Sequence, residues 1–424
     1  MGLVKCFFLD GTFGVELRCK LGARTTSWDQ ASDSGCRRTK LSTSAQSPTA
    51  QLRALNGDGP RLLTFVLRAH VCRWSDADSE EGMVTIKDVA KQARVSTMTV
   101  SNVLNRTSKV TPELRERVLS AARELRYHPS AIARSLRTNR THTIGMIMPD
   151  ITNPFFPAVV RGAEDVLNQE GYTLIAGNSD SDTEKEERYY RTFTARRVEG
   201  LFLIASATTR APEYLLHHDL HGVPVVFIDR FYKGVRADAV FSDNVGGSLR
   251  AVNHLFECGH RRIGIITGPL ELQNAKMRLE GYKRSLANHH EKIDKQLIRE
   301  GEYHVRSGYE QTKLLLSLKR RPTALFVSNA PMTYGALRAI RETRIKCPDE
   351  LALISFDDMD WFEVAHPSIS GVAQDAYGLG TTAARLLLKR LRGELTGPPR
   401  HKVLRTKLVL RGSTRWRLNG ARAA

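Results

Sequence analysis

The sequence lacks any long apolar run. A membrane-spanning helix needs roughly 18 consecutive apolar residues, and the longest run near the start, LLTFVL at 62–67, is far shorter and lies between Arg61 and Arg68. The six cysteines, at positions 6, 19, 36, 72, 258 and 347, form no CxxC pair and no cysteine–histidine ligand spacing. These absences predict a cytoplasmic protein with reduced thiols, and they argue against a membrane protein, a zinc site and a disulfide framework.

Catalytic motifs are absent as well. The sequence contains no GxSxG, no Walker phosphate loop, no HExxH and no GxGxxG nucleotide loop. His260 has no second histidine or cysteine at ligand spacing, so we interpret it as a structural residue and not as a metal ligand. The chain is therefore predicted not to be an enzyme and to use no cofactor, with a sugar kinase as a weak alternative.

Basic residues, in contrast, are in excess. The chain has 64 lysine and arginine residues against 45 acidic ones, a net charge of +19, which favours a polyanionic partner or a membrane surface. Residues 83–142 contribute 12 basic against 4 acidic side chains, a net +8. A charge of that density in a short segment suits contacts with phosphate groups.

Residues 1–82 differ from the rest of the chain. They show no sustained helix or strand period, hold four of the six cysteines and have 11 basic against 9 acidic residues. Met83 directly precedes the first patterned segment. We interpret 1–82 as an over-extended start or a disordered arm, and a cysteine-bearing regulatory tail is the alternative.

Three short helices are predicted within 83–128. The segment TIKDVAKQA has apolar residues at i, i+3, i+4 and i+7 from Ile86, with Thr85 as N-cap. A tight turn at 94–96 leads to Ser96, the predicted cap of a second helix. The third helix opens at the sequence TPE, 111–113, with a cap, a proline and an acid.

The second of these helices has unusually short polar side chains. Val100, Val103 and Leu104 form its predicted buried side. The major groove of DNA admits short hydrogen-bonding side chains that reach base edges, so this helix is predicted to bind DNA there. The alternative is that the three helices pack together for structure alone. The residues predicted to face outward are Thr97, Met98, Ser101 and Asn102.

The sequence of these helices resembles that of a known protein family, which makes the DNA-binding interpretation more specific. The run VTIKDVAKQARVSTMTVSNVLN, followed by VTPELRERVLSAARELRYHPSAIARSLRT, resembles the DNA-binding head of the lactose/galactose-repressor (LacI/GalR) family, its purine-repressor branch in particular. The resemblance extends through nearly all of 84–414. It implies a hinge helix and linker over 129–142, with the helix at 129–137, whose Leu136 would insert into the minor groove of the operator. It also implies base-edge contacts from Thr97, Met98 and Asn102, and phosphate contacts from Thr85, Ser96, Thr99 and Ser101.

The chain departs from the family pattern at two positions in this head. Arg94 stands in a turn where the family usually has glycine or asparagine, so a strained turn is expected. Asn102 stands where many members have arginine. Asparagine pairs with adenine and arginine with guanine, so the operator sequence cannot be transferred from the family.

The pattern after residue 142 predicts an α/β core over 143–414, followed by a basic tail at 415–424. Seven apolar runs separated by helical stretches indicate buried parallel strands of a doubly wound fold. The family resemblance implies two lobes joined by three crossovers, as in periplasmic sugar-binding proteins. The runs are TIGMIMP, YTLIAGN, GLFLIAS, PVVFID, RIGIITG, TALFVS and LALISF.

Polar residues directly after these strands are the candidate effector ligands, because open α/β sheets bind ligands at the carboxyl ends of their strands. Carboxylates and amides bind hydroxyl pairs, arginine binds a carboxylate and aromatic rings stack on a sugar face. Asp229 and Asp357 have a structural alternative, since either could simply cap a helix or order its loop. The candidates are Asp150, Asn153, Phe156, Arg230, Arg278, Asn329 and Asp357.

The family resemblance supports part of this set and limits the ligand. Asp150, Arg278, Asn329 and Asp357 match effector-contact positions of the family. Leu272 and Asn274, however, stand where its purine-binding members have base-contacting arginine and threonine, which argues against a purine. The motif FDDMDW at 356–361 adds Asp358, Asp360 and Trp361 near the same loop, and a tryptophan near paired acids favours a sugar or a sugar acid.

Together these features predict a transcription factor, most simply a repressor, that binds a pseudo-palindromic double-stranded DNA operator as a homodimer. A sugar or sugar-acid effector in the interlobe cleft would control DNA binding. No long leucine heptad follows the core, so a dimer is predicted and not a tetramer. The alternative from another class is a solute-binding protein for sugar transport.

Overall fold

The computed structural model describes residues 84–105, 110–128, 135, 140–206, 211–216 and 222–414, together with the backbone of 3–9 and 12–18. Strands β1 (Leu3–Leu9) and β2 (Thr12–Arg18) form an antiparallel hairpin that the sequence pattern did not predict. Two strands that pair only with each other do not make a domain. Most of 1–82 and all of 415–424 lie outside the described residues, so the interpretations of those segments stay predictions.

The three predicted helices are present and pack into a small domain. They are α1 (Ile86–Gln92), α2 (Thr97–Asn105) and α3 (Pro112–Glu124). Their shared core consists of valine and alanine side chains, which are small enough to let three short helices approach closely. The core residues are Val89, Ala90, Ala93, Val100, Val103, Val118, Ala121 and Ala122.

The predicted helix starts are confirmed. The Asp88 carboxylate accepts hydrogen bonds from the Thr85 backbone N–H at 2.8 Å and from the Thr85 hydroxyl at 2.7 Å, and the hydroxyl bond lowers the pKa of Asp88. The Ser96 hydroxyl accepts from the N–H of Thr99 at 3.1 Å. Arg94 has a φ of +51°, so the strained turn is also confirmed.

The core that follows has two lobes, each built on a six-stranded sheet. The sheet of the first lobe is parallel throughout, in the order β13-β7-β6-β5-β3-β4. Its strands are β3 (Thr143–Met148), β4 (Thr173–Asn178), β5 (Gly200–Leu203), β6 (Val225–Ile228), β7 (Asp238–Ser242) and β13 (His401–Leu404). Its helices are α4 (Phe155–Gln169), α5 (Thr183–Ala195), α6 (Glu213–Leu216) and α12 (Ala376–Leu391).

The second lobe repeats this strand order. Its sheet runs β14-β12-β11-β10-β8-β9, and only the edge strand β14 is antiparallel. Its strands are β8 (Ile263–Thr267), β9 (Ile298–Glu300), β10 (Ala324–Val327), β11 (Ala352–Phe356), β12 (Ser370–Ala373) and β14 (Lys407–Val409). Its helices are α7 (Asn244–Glu257), α8 (Gln273–Asn288), α9 (Val305–Leu316), α10 (Ala330–Glu342) and α11 (Trp361–Val364), with 3₁₀ turns at Lys295–Leu297 and Gly412–Thr414.

The chain crosses between the lobes three times, after β7, after β12 and between β13 and β14. The predicted two-lobed, doubly wound fold with three crossovers is therefore confirmed. All seven predicted apolar runs are strands. Six of them lie inside the sheets, whereas YTLIAGN is the edge strand β4 and is largely exposed, so its predicted burial was wrong. Within the described residues, no helix is both long enough and apolar enough to cross a membrane.

Helices α9 and α10 pack so closely that their contact requires glycine. A Cβ atom on Gly308 would lie 2.3 Å from the carbonyl oxygen of Met332. A Cβ on Gly335 would lie 2.0 Å from the carbonyl oxygen of Val305. Because both obstacles are backbone atoms, no side-chain rotation can relieve them.

His260 is buried in the second lobe, where its Nδ1 lies 3.1 Å from the Thr323 hydroxyl oxygen. Burial lowers the pKa of His260 to about 4. In the unfolded chain this histidine gains a proton near pH 6.5, so below that pH the unfolded state binds more protons. Because the folded state does not bind this proton until the pH is near 4, the free energy of unfolding falls as the pH drops from about 6.5 to about 4.

We therefore expect the free energy of unfolding to fall by about 2 kcal/mol between pH 7.5 and pH 5 through His260 alone. The variant His260→Asn keeps a polar group near Thr323 and does not titrate in this range. Urea unfolding of both proteins at the two pH values measures the difference. An equal loss in wild type and variant would show that His260 does not cause it.

Candidate functional site

The exposed face of α2 is the first candidate surface. Met98 is 68% exposed, Thr97 is also exposed, and Thr99 and Asn102 are half-buried. Ser96 and Thr85, at the starts of α2 and α1, are exposed as well. Leu136 lies outside the described residues, so its predicted insertion into DNA stays a prediction.

Ser101 corrects the sequence interpretation of this face. Its side chain was predicted to face outward, but Ser101 is only 8% exposed. Successive helix positions are 100° apart, so Ser101 lies at the border of the buried side that begins at its neighbour Val100. A side chain as short as serine is covered at that border, whereas the longer Asn102 one step further is not.

The second candidate site is the cleft between the lobes, where the carboxyl ends of both sheets meet. A deep chamber of about 20 Å³ opens beside two outer chambers of about 180 Å³ and 230 Å³. Residues of both lobes line the deep chamber, so closure of the lobes must change its shape. Its lining is Asn153, Phe155, Phe156, Asp229, Arg230, Asn274, Arg278, Tyr303, Asn329, Asp357 and Gln374.

Arg278 is the central cation of the deep chamber. It is 3% exposed, its Nε donates to Asn244 Oδ1 at 2.8 Å and its Nη1 donates to the Ser328 carbonyl at 2.5 Å. Its guanidinium carbon lies 3.8 Å from the centre of the Phe356 ring. These contacts fix the plane of the guanidinium, and Nη2 has no hydrogen-bond partner within the described chain.

Two aspartates occupy equivalent places in the two lobes. Asp229 follows β6 and Asp357 follows β11, and both have a positive φ, +61° and +82° respectively. Non-glycine residues in this region cost on the order of 1–3 kcal/mol and cluster at functional sites. Burial raises the pKa of Asp357, although the nearby Arg278 opposes that rise.

Several buried polar atoms at the deep chamber have no hydrogen-bond partner among the described residues. They are Asp229 Oδ1, Arg230 Nε and Gln374 Oε1. Arg230 Nε lies 3.5 Å from Asp229 Oδ2, so the two side chains form a buried ion pair without a hydrogen bond at Nε. A buried polar group without a partner costs about 1–3 kcal/mol, so this chamber is suited to a ligand that supplies donors and acceptors.

The predicted effector residues converge on the cleft. Asn153, Phe156, Arg230, Arg278, Asn329 and Asp357 line the deep chamber, and Asp150 lines both outer chambers.

Asn329, however, already bonds to the protein through both its side-chain oxygen and its side-chain nitrogen. Its Oδ1 accepts from the N–H of Met332 at 3.0 Å and its Nδ2 donates to the Tyr303 carbonyl at 3.0 Å. It therefore shapes the chamber by holding Tyr303 and the start of α10. Asp357 has both a structural bond and a place in the chamber. Its Oδ2 accepts from the Ala330 N–H at 3.0 Å at the start of α10, and its carboxylate lines the chamber.

Asp358 does not join the cleft as the FDDMDW motif suggested. Its two carboxylate oxygens accept from Arg411 at 2.6 Å and 3.1 Å, which ties the loop to the end of the chain. Trp361 does line an outer chamber, with its ring 5.9 Å from that of Tyr334. In the described parts of the chain, no cluster of three or more histidine, cysteine or acidic residues could hold a metal ion.

Sequence reasoning missed four chamber residues, Phe155, Asn274, Tyr303 and Gln374, and the last two show why. The Tyr303 hydroxyl donates to Asn274 Oδ1 at 3.2 Å, and Gln374 Nε2 donates to Asp357 Oδ1 at 2.5 Å. Both residues follow strands that were not predicted, β9 and β12. The rule that led to the other candidates would have found these two had the strands been recognised.

Comparisons with known proteins match both parts of the chain. Residues 85–130 match the family model of bacterial regulatory proteins, lacI family, and 252–414 match that of the periplasmic binding protein-like domain. The chain is 34% identical over 340 residues to the HTH-type transcriptional repressor CytR of Escherichia coli (strain K12), covering 80% of this chain and 98% of that protein. It is 36% identical over 309 residues to the HTH-type transcriptional repressor PurR of Haemophilus influenzae (strain PittEE), covering 73% and 91%.

Solved structures of transcriptional regulators match the chain as well. The lac repressor dimer bound to operator and the anti-inducer ONPF superposes with a TM-score of 0.71 at 28% identity, covering 78% of this chain and 99% of that one. The complex of the transcriptional regulator CelR with cellobiose gives a TM-score of 0.60 at 30% identity, again covering 78% and 99%.

Proposed function

We propose, from the premise that this chain belongs to the lacI family of bacterial regulatory proteins, that it represses transcription from a pseudo-palindromic operator in the cytoplasm as a homodimer. We further propose that a sugar or sugar acid in the interlobe cleft controls its affinity for DNA. The observation that supports effector binding most directly is the set of buried polar atoms without hydrogen bonds, from both lobes, at one chamber.

The chain is a DNA-binding transcriptional regulator and not an enzyme. The solute-binding alternative is wrong, because repressor relatives match over nearly their whole length, including the helix-turn-helix region that a transport protein would lack. The kinase alternative is wrong for the same reason. The likeness of the core to periplasmic binding proteins reflects its fold.

A hydroxylated ring carries the donors and acceptors that the chamber's atoms without hydrogen bonds require. Because the deep chamber holds only about 20 Å³, roughly one water, such a ring would enter it when the lobes move apart. Asp229 Oδ1 and Gln374 Oε1 can accept from ligand hydroxyls, and Arg230 Nε and Arg278 Nη2 can donate to a ring oxygen or a carboxylate. Phe156 supplies an aromatic face. The relative solved with cellobiose supports a sugar.

The two lobes suggest how the ligand would act on DNA. Arg230 belongs to the first lobe and Arg278 to the second, so a ligand that engages both favours one relative position of the lobes. The first lobe follows the DNA-binding head in the chain. A change in its orientation would shift the two heads of a dimer relative to their half-sites, a coupling typically worth about 1–3 kcal/mol.

On the DNA side, α2 would lie in the major groove. Asn102 can form two hydrogen bonds with adenine, and the exposed Met98 can contact a thymine methyl group. Thr85, Ser96 and Thr99 are placed at helix starts, where hydroxyl and backbone N–H groups suit phosphate contacts.

The variant Asn102→Ala should bind the operator about 10- to 100-fold more weakly, since a bidentate base contact is worth about 1–3 kcal/mol. Its affinity for shuffled DNA should not change, because nonspecific binding depends on phosphate contacts. Fluorescence anisotropy on both duplexes measures the two affinities. Asn168→Ala, at an exposed position of α4, is the matched control, and equal losses on both duplexes would argue against base recognition by Asn102.

The proposed function as a whole is tested by anisotropy of the full chain on DNA from upstream of its own gene, against a shuffled duplex, over a salt series. A panel of sugars and sugar acids is then added. We expect a preference of about 10³ or more for its own upstream DNA and a change in affinity with one panel member. Equal, steeply salt-dependent binding to both duplexes would refute the repressor proposal.

A further inference from the structure

The chain enters the first lobe at the amino ends of three adjacent strands. Thr143 begins β3, the middle one of these three strands, while Tyr172 precedes β4 and Glu199 precedes β5. The segment just before β3, residues 140–142, therefore lies between the starts of its two neighbours. This edge of the sheet is opposite the edge that faces the interlobe cleft, because all these strands are parallel.

Glu199 holds the entering segment with both carboxylate oxygens. Its Oε2 accepts from Arg140 Nε at 3.1 Å and Nη2 at 3.0 Å, and its Oε1 accepts from the His142 backbone N–H at 2.7 Å. The Tyr172 hydroxyl accepts from Arg140 Nη2 at 2.6 Å and donates to Glu199 Oε2 at 3.2 Å. We call Arg140, His142, Tyr172 and Glu199 the linker clamp.

Further bonds anchor the same segment to the sheet. The Thr141 hydroxyl donates to the Arg197 carbonyl at 2.7 Å, and the Thr173 N–H donates to the His142 carbonyl at 2.8 Å. The side chain of Glu199 is only 13% exposed. Burial alone raises the pKa of Glu199, but the bonds from His142 and Arg140 outweigh it and keep the pKa below its ordinary value.

We propose that Glu199 is a positioning residue that fixes the end of the linker, residues 140–142, to the first lobe, so that movement of this lobe is transmitted to the DNA-binding head. This role rests on the proposed function, because it requires operator binding under effector control. Glu199 itself contacts neither the cleft chambers nor α2.

The path from the cleft to the linker clamp is short and stiff. Strand β3 runs from Thr143 at the clamp to Met148, two residues before the cleft residue Asp150, and five of its six residues are buried. At about 3.3 Å per residue this is roughly 20 Å. Because β3 is paired on both sides, the cleft end and the clamp end of the first lobe move together.

Without the clamp, the segment 140–142 would keep its chain connection to β3 but lose the side-chain bonds that fix its direction. The linker could then leave the lobe at many angles. Specific operator binding needs both heads of a dimer at a set spacing, whereas nonspecific binding does not. Loss of the clamp should therefore weaken operator binding selectively.

The test compares Glu199→Ala with Glu170→Ala in the full chain. Glu170 pairs with Arg392 on the surface of the same lobe, so both variants remove one negative charge and one ion pair. The measured quantity is the ratio of affinities for its own upstream DNA and for a shuffled duplex. We expect Glu199→Ala to lower this ratio about tenfold, with unchanged affinity for shuffled DNA, and Glu170→Ala to leave it as in wild type.

Glu199→Gln is a second variant. It retains an acceptor for the His142 N–H but loses the charge opposite Arg140, so its affinity ratio should lie between those of wild type and Glu199→Ala.

Proteolysis gives an independent measurement. Trypsin cleavage near Arg140 should be faster in Glu199→Ala, because the segment 140–142 is then no longer held to the lobe by Glu199. A ratio equal to wild type in both Glu199 variants would overturn the role of the clamp and leave the proposed function intact. A wild-type chain with no preference for its own upstream DNA would overturn the proposed function, and the clamp with it.

Discussion

Replacing Arg278 by methionine is expected to abolish effector control, with a roughly 100-fold loss of ligand affinity. Methionine keeps much of the apolar packing against Phe356 but removes the bonds to Asn244 and to the Ser328 carbonyl. It also removes the cation that offsets the buried Asp357. Removing the charged partner of a buried, hydrogen-bonded contact costs about 2–5 kcal/mol of binding free energy, so ligand binding in the chamber should be lost while α2 is unaffected.

The measurement uses the panel ligand that changes operator affinity of the wild-type protein. Operator binding of Arg278→Met without ligand should resemble wild type, and adding ligand should produce no change. Arg284→Met is the matched control, because Arg284 lies on the same helix, 60% exposed and paired with Glu280. A ligand response that survives in Arg278→Met would remove Arg278 from the effector site.

Gly335→Val is expected to destabilise the second lobe by at least about 3 kcal/mol. The new Cβ would stand 2.0 Å from the Val305 carbonyl oxygen and 2.6 Å from the Tyr309 nitrogen, both backbone atoms. Helix α10 could accept it only by moving away from α9. That movement would open the apolar cluster to which Met332 and Ala336 belong.

The midpoint of urea unfolding measures this loss. Arg341→Val places the same β-branched residue at an exposed position of the same helix, without the backbone contact, and its small loss of helix propensity makes it a stringent control, since Gly335→Val has no such loss. We expect the Arg341→Val midpoint to stay within a few tenths of a molar of wild type and the Gly335→Val midpoint to fall clearly. Similar midpoints would mean that α9 and α10 separate at little cost.

Much of the fold was predictable because the central strands are marked in the sequence by continuous apolar runs. The apolar runs at the sheet centres are buried on both faces, and such runs are continuous in sequence. Strands β9 and β12 were missed because Ile298–Glu300 is short and half polar and Ser370–Ala373 contains serine and glycine. Hydrogen bonds to neighbouring strands define those two elements, and pairing partners cannot be read from a local pattern.

The candidate site was predictable to a similar extent and for a related reason. Residues directly after parallel strands converge in space, which places Asp229 and Asp357 at one chamber although they are far apart in sequence. What each residue bonds to was not predictable. Asn329 is engaged by Tyr303 and α10, and Asp358 by Arg411, since those partners come from distant segments.

The three crossings have a consequence for synthesis on the ribosome. The first sheet includes β13 and the second includes β14, and these strands, at His401–Leu404 and Lys407–Val409, follow all the other strands of the core. Neither sheet can close its edge until every other strand of both lobes has been translated. The helix-turn-helix domain has all its core residues between 89 and 122 and is finished long before. A nascent chain therefore has a folded DNA-binding head well before it has a place for an effector, and stop codons shortly before residue 401 would leave both lobes incomplete at once.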